Sequence, residues 1–229
     1  MSDPKEPSGS PVTPDHLPQT ERTRLRRNHK RGHFDRQTIY EILDACPLCH
    51  LGYLLDGAPA VTPTLQWRDG DHVYWHASSA SRALRSSNAA QVCLTVTLLD
   101  ALVLARSAFH HSANYRAVMI FGEAHLLEDE KEKTIQLERF VDGLYPNRWQ
   151  TLRPMTDKEL KATGILRLPI EEASAKIRDT GVADDEEDYD WPVWSGLLPV
   201  RYEIGEPEAD PRNVPGVEWP ATLGDVKIG

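Results

Sequence analysis

The stretch LCHLGYLLDGAPAVTPTLQWRDGDHVYWH, residues Leu48 to His76, decides the fold. Leu48 to Leu55 is rich in residues that suit a pleated, half-buried surface and reads as a strand. Asp56-Gly57 supplies a two-residue hairpin turn, and Ala60 to Trp67 is the returning partner. Arg68-Asp-Gly-Asp71 turns the chain again into a third strand, His72 to His76. Upstream, Asp35 can cap a helix reaching about Ala45, with Ile39, Ile42 and Leu43 on one face. Downstream, Ser78 to Ser87 fits a short helical turn capped by Ser78 or Ser79. Val92 to Leu104 and Tyr115 to Leu127 are two long strands. Glu128 to Leu144 is helical, with Ile135, Leu137, Phe140, Val141 and Leu144 apolar, and Ile165 to Ile170 is the last strand. Six antiparallel strands with helices inserted between them give a mainly β fold with helices, a barrel with helical caps.

The flanks read differently. Met1 to Thr20 is polar and rich in Pro and Ser, and is expected to be a disordered tail. Residues 21–33 form a basic arm containing Arg22, Arg24, Arg26, Arg27, Lys30 and Arg31. It is open to three readings: a solvated arm, a nucleic-acid patch without interleaved aromatics, or an arm lying across a partner subunit. Residues 34–200 form the folded domain, and 201–229 a C-terminal tail. Within the domain, the acidic run Asp184 to Asp190 reads as a solvated loop, and Trp191 and Trp194 beside it need an apolar surface to rest on.

A formal net charge of −9 argues against broad nucleic-acid contact, because phosphates reward positive surfaces. The most apolar stretch, Val92 to Phe109, is broken by Thr95, Thr97, Asp100 and Arg106, so no membrane span is expected. Three cysteines and no apolar targeting segment point to a reducing cytoplasm.

Three stretches could carry chemistry. Cys46-Pro-Leu-Cys49-His50 has the spacing of a haem attachment, redox or zinc half-site. It has no second cysteine pair, and it closes a helix rather than opening one, so buried structural cysteines are the better reading. Val73-Tyr-Trp-His76-Ala-Ser-Ser-Ala-Ser-Arg82 ends a strand in a small-residue turn opening a helix, where hydroxyls, free N–H groups and a guanidinium favour a phosphate. A plain helix cap and a surface charge explain the same residues. Arg106-Ser-Ala-Phe-His110-His111-Ser-Ala-Asn114-Tyr115-Arg116 is a dense polar entry into a strand and suits a ligand-facing edge. Adjacent strand histidines point to opposite faces, so no metal-ion site is expected there.

Taken in order, these stretches resemble the flavoprotein family of pyridoxamine 5′-phosphate oxidase, and within it the nitroimidazole-reductase-like branch. The resemblance spans about Arg27 to Pro199. It rests on Ala58-Pro-Ala-Val-Thr-Pro63, Val73-Tyr-Trp-His-Ala-Ser78 with Arg82, and Ser112-Ala-Asn-Tyr-Arg-Ala-Val118 with Gly122. Ser174-Ala-Lys176 and Trp194-Ser-Gly-Leu-Leu-Pro199 complete it. It implies an antiparallel six-stranded split β-barrel forming a homodimer, with FMN at the subunit interface. It places the backbone of Val61 and Thr62 along the flavin ring, His76, Ala77 and Ser78 beside ring and ribityl chain, and Ser81 and Arg82 at the phosphate. Asn114, Tyr115 and Arg116 line the neighbouring strand, and Trp194 covers the site. Arg82 stands where many relatives have lysine, and Ala117 where many have serine. The C-terminal substrate pattern of true pyridoxamine phosphate oxidases is missing.

The function so implied is an FMN-dependent oxidoreductase passing electrons from a reduced nicotinamide to a small acceptor such as a nitroaromatic or quinone. His76 would donate a proton or hydrogen bond beside the ring, or merely pack on it. A flavin- or haem-binding protein without turnover, and a pyridoxamine phosphate oxidase, are the alternatives.

Overall fold

The computed structural model describes residues 15–226, 228 and 229. The expected tail therefore lies mostly outside the described residues. Its last part, residues 15–20, is packed rather than loose: Leu17 is buried and its N–H donates to the Phe34 carbonyl, 2.8 Å.

The basic arm does not project into solvent as a free arm. Arg22 pairs with Glu172, donates to Gln91 Oε1 at 3.1 Å, and lies 5.3 Å over the Phe121 ring. A short strand β1 (Gly32–His33) then pairs with β8 (Glu172–Arg178) of the same chain. Helix α1 (Arg36–Ala45) starts where Asp35 accepts from the Thr38 N–H at 2.8 Å, and buries Ile39, Ile42 and Leu43.

Strands β2 (Leu48–Leu55) and β3 (Ala58–Asp69) form the expected hairpin, with Asp56 and Gly57 both at positive φ in the turn. β4 (His72–Ser78) follows, then helix α2 (Arg82–Ser87), capped by Ser81 rather than by Ser78 or Ser79. The long strands β5 (Ala90–Leu104) and β6 (Ser112–Leu126) pair along nearly their whole length. Helix α3 (Glu130–Leu144), short helix α4 (Asp157–Ala162), β7 (Thr163–Pro169), β8 and β9 (Gly196–Pro199) complete the order. Strand neighbours run β6-β7-β4-β3-β2-β5, and β5 pairs back to β6, so the six strands read from the sequence close a ring. β8 takes the edge of β6 left free over Tyr115–Phe121, and β9 extends the edge of β5 beyond β2.

The sequence does not signal β8, because Glu172-Ala-Ser-Ala-Lys-Ile-Arg178 offers few bulky residues; its alanines Ala173 and Ala175 are fully buried in the core. The interior holds Leu51, Val73, Trp75, Leu94, Val96, Leu98, Val118, Ile120, Leu166 and Leu168. Gln66, buried among them, donates its amide to the Leu43 and Cys46 carbonyls at 2.7 and 2.8 Å, supplying partners that the end of α1 lacks. A second layer, Trp67, Tyr74, Ile165, Leu127 and Leu137, lies under α3. Among the described residues, no helix is long and apolar enough to cross a membrane.

Two flanking readings change. Asp184 is enclosed, accepting from the Arg106 N–H and guanidinium at 3.0 Å each, so the acidic run is pinned at its start. The C-terminal tail returns to the body, where Ile204, Trp219 and Leu223 meet Pro47, Leu65, Leu144 and Tyr145 around a cavity of about 460 Å³.

Candidate functional site

The β3–β4 ladder covers only Gln66–Asp69 against His72–Trp75. Residues 58–65 of β3 then pair with β2 alone, while His76, Ala77 and Ser78 turn to β7. Two strand edges thus diverge into an open split. Val61 and Thr62 form one lip: Val61 is 67% exposed, and the Thr62 hydroxyl lies 3.0 Å from the Tyr53 hydroxyl. Ala77, Ser78, Ser81 and Arg82 form the other lip.

α2 is held close to this second lip by Leu84, which presses on Gly164 of β7; a Cβ at Gly164 would meet the Leu84 methyls at 2.5 and 2.8 Å. The Ser81 hydroxyl accepts weakly from the Leu84 N–H at 3.5 Å, and the Ser78 hydroxyl accepts from the Ala80 N–H at 3.3 Å. Arg82 is exposed and has no ion-pair partner among the described residues. With only six residues, α2 is too short to bring much of a helix dipole, so an anion here would be held by the guanidinium and hydroxyls.

His76 points away from Trp75 and Ala77, into the layer under α3. Its ring lies 4.9 Å from Phe140 and 6.2 Å from Trp67, its Nδ1 is enclosed without a partner among the described residues, and burial lowers its pKa. Asn114, Tyr115 and Arg116 sit elsewhere, at the start of β6. Asn114 is buried, bonded to Arg178 and to the Thr180 carbonyl at 3.0 Å. Tyr115 lies under Lys176, 5.8 Å from its ammonium, and Arg116 pairs with Asp100 at 2.8 Å. Trp194, 64% exposed, folds over Gly196 beside the same end of β5.

The site residues therefore fall into two groups. Through the registers Val61–Gly52–Cys93 and Tyr115–Leu99, the Val61 lip stands level with Cys93 and the second group with Leu99. Six residues of strand separate them, about 20 Å. Among the described residues, no hydrogen bond or ion pair joins the groups within one chain.

Cys46 and Cys49 are buried and free, and burial pushes the Cys49 thiol up to about 12, the opposite of a reactive thiolate. His110 and His111 stand in a turn before β6, not on a strand. Among the described residues, no cluster of three or more His, Cys, Asp or Glu could hold a metal ion.

The family model described as pyridoxamine 5′-phosphate oxidase matches residues 35–177. The solved structure of flavocytochrome Anf3 from Azotobacter vinelandii is similar, with 47% identity over 92% of this chain and 98% of that one, at a TM-score of 0.89. An FAD and haem binding protein from Mycobacterium smegmatis is 30% identical over 86% of this chain and 97% of its own, at 0.82. A candidate 5-nitroimidazole antibiotic resistance protein from Bacteroides thetaiotaomicron shares the fold at 22% identity, covering 64% of this chain and 86% of its own, at 0.54. No curated protein matches.

Proposed function

This chain belongs to the pyridoxamine 5′-phosphate oxidase family, and we propose that within it the protein is a flavocytochrome-like oxidoreductase binding FAD and haem as a homodimer. The observation that carries the flavin reading is the split between β3 and β4, with the Arg82 guanidinium, unpaired among the described residues, at its lip. FAD takes the place of the FMN expected from the sequence, because the 30% identical relative is an FAD and haem binding protein. The two cofactors share the ring, ribityl chain and first phosphate, so the expected contacts carry over. Val61 and Thr62 line the ring, and Ser78, Ser81 and Arg82 hold the phosphate.

The separation of the two groups supports the dimer. A two-fold axis sets the lips of one chain against the β6 start and Trp194 of the other, and the same again in reverse. The outer sheet face supports it: Leu48, Leu54, Val61 and Met119 stand 41–67% exposed on adjoining strands, an apolar area that a single chain leaves in water. His50 shares this face, and Gly52 opens close backbone approach within it.

Flavin supplies one- and two-electron redox chemistry when bound. The chain's own residues position it, exclude water with Trp194, and leave the ring reachable by a reduced nicotinamide and a small acceptor such as a quinone or nitroaromatic. His76 backs the lip through packing, its imidazole kept uncharged near neutral pH by burial. The free, buried cysteines fit a reducing cytoplasm.

The test is the absorption spectrum of purified protein, with flavin released by denaturation and identified by mass, and haem assayed separately. Flavin bands with released FAD are expected. A colourless preparation that takes up neither FAD nor FMN in titration would remove this reading.

A further inference from the structure

We propose that the basic arm and the end of β8 build an anion site for a phosphate monoester, separate from the flavin pocket. The site is a surface cavity of about 700 Å³, and His29, Lys30, Arg31, His33, Arg178 and Asp179 line it. That volume lies within the usual range of small-molecule sites. The turn His29–Arg31 follows Asn28, whose backbone is left-handed at φ 53°, and Gly32 and His33 then pair with Lys176 and Ala175 of β8. The antiparallel pairing lays the arm beside residues 177–180, which is how two cations far apart in the chain come to share one cavity.

Arg178 is 5% exposed. Its guanidinium donates to the Asn114 side chain, to the Thr180 carbonyl at 3.1 Å and to the Gly181 carbonyl at 3.3 Å. All three acceptors are neutral, and its Nε is enclosed with no partner among the described residues. Holding the Thr180–Gly181 turn accounts for these hydrogen bonds but not for the charge, since neutral oxygens do not neutralise a buried cation. Arg31 adds to the cost. Burial, and after it the Arg31 charge, lower the Arg178 pKa. Arg31 is itself half-buried and has no ion pair among the described residues. Two guanidiniums brought together, with no carboxylate paired to either, are completed by an anion that both can hold.

Asp179 is the one carboxylate among the lining residues; it is exposed and pairs with neither arginine. Three cations and one carboxylate leave an excess of two positive charges, in a chain whose formal net charge is −9. A phosphate monoester carries about −1.5 to −2 charge near pH 7 and three acceptor oxygens, which matches both the excess charge and the unused donors.

The test uses the full-length purified protein with inorganic phosphate as the probe, read by thermal melting and calorimetric titration at fixed ionic strength. Phosphate should raise the wild-type melting temperature progressively, as mass action requires, while chloride does not. Arg31→Ala should melt no lower than wild type without phosphate, because it relieves the repulsion on Arg178. The same variant should bind phosphate at least about 10-fold more weakly. Arg24→Ala, in the same arm but off this cavity, should bind it as wild type does. Adenosine 2′-phosphate and ribose 5-phosphate then separate the sources. Tighter binding of the first points to a phosphorylated nicotinamide donor, and of the second to a free sugar phosphate. If neither binds more tightly than inorganic phosphate, the monoester is overturned. Absence of any phosphate-specific stabilisation in wild type, or equal phosphate affinity in Arg31→Ala, would overturn the site itself. Arg31→Ala that weakens FAD and leaves FMN untouched would overturn its separateness and assign the cavity to the second phosphate of the flavin.

Discussion

Arg82 opens α2 at the lip of the split, exposed and with a charge that no acidic neighbour among the described residues takes up. Arg82→Ala should weaken FAD and FMN by about 1.5–3 kcal/mol, the worth of a charge-assisted contact, and leave riboflavin nearly unaffected. Fluorescence titration with the three ligands checks this; equal losses would place Arg82 away from the phosphate. His76 gives a prediction in pH. Burial lowers its pKa, and that of His72 at the start of the same strand, below the usual 6.5. Below that value the unfolded chain binds more protons than the folded one, so stability rises with pH through this window and is lost on acidification. Thermal melting from neutral pH to mildly acid pH should show a fall that is shallower in His76→Phe. Matching slopes would mean that the imidazole is free to charge in the folded protein. At this scale the sequence identified which residue types matter, but not that His76 turns into the layer under α3, because strand alternation does not say which face α3 will cover.

α2 and β7 show what one missing side chain does. Gly164 lets Leu84 close onto β7, so α2 lies against the lip it serves. Gly164→Ala should displace the helix and cost about 1–3 kcal/mol of overpacking, measured by urea unfolding, with flavin phosphate affinity falling alongside. A variant of unchanged stability and affinity would show that Leu84 simply swings aside. Asp35, which closes the start of α1, should cost about 1 kcal/mol on replacement by alanine, read in the same unfolding experiment. The β2–β3 hairpin, α1 and the long strands were legible because caps, turn residues and alternation are local signals. β8 and β9 were not, since each is a strand only by virtue of the edge it fills, on β6 and on β5.

For the whole molecule, the proposed dimer draws on the exposed sheet face bearing Leu54 and Val61 and on the 20 Å or so between the two groups of site residues. Sedimentation should find a dimer, and Leu54→Glu with Val61→Glu should give a monomer that has lost flavin as well as its partner. A monomer holding flavin in one-to-one ratio would contradict the shared site. The tail should matter too: with Ile204, Trp219 and Leu223 closing the cavity against Pro47 and Leu65, removal of residues 201–229 exposes apolar surface that the chain otherwise covers.

The sequence by itself determined the six ring strands, the long helix α3, the Asp35 cap, the Asp56-Gly57 turn and the inertness of the cysteine pair, since each rests on residues within a few positions of one another. Tertiary structure alone decided how the parts combine: that the basic arm binds Glu172 of its own sheet, that Asp184 fastens the turn carrying His111, and that the lips and the start of β6 stand apart in one chain. Those outcomes depend on contacts between residues tens of positions apart, settled by strand register and by which surfaces exclude water, and no local pattern of side chains encodes either.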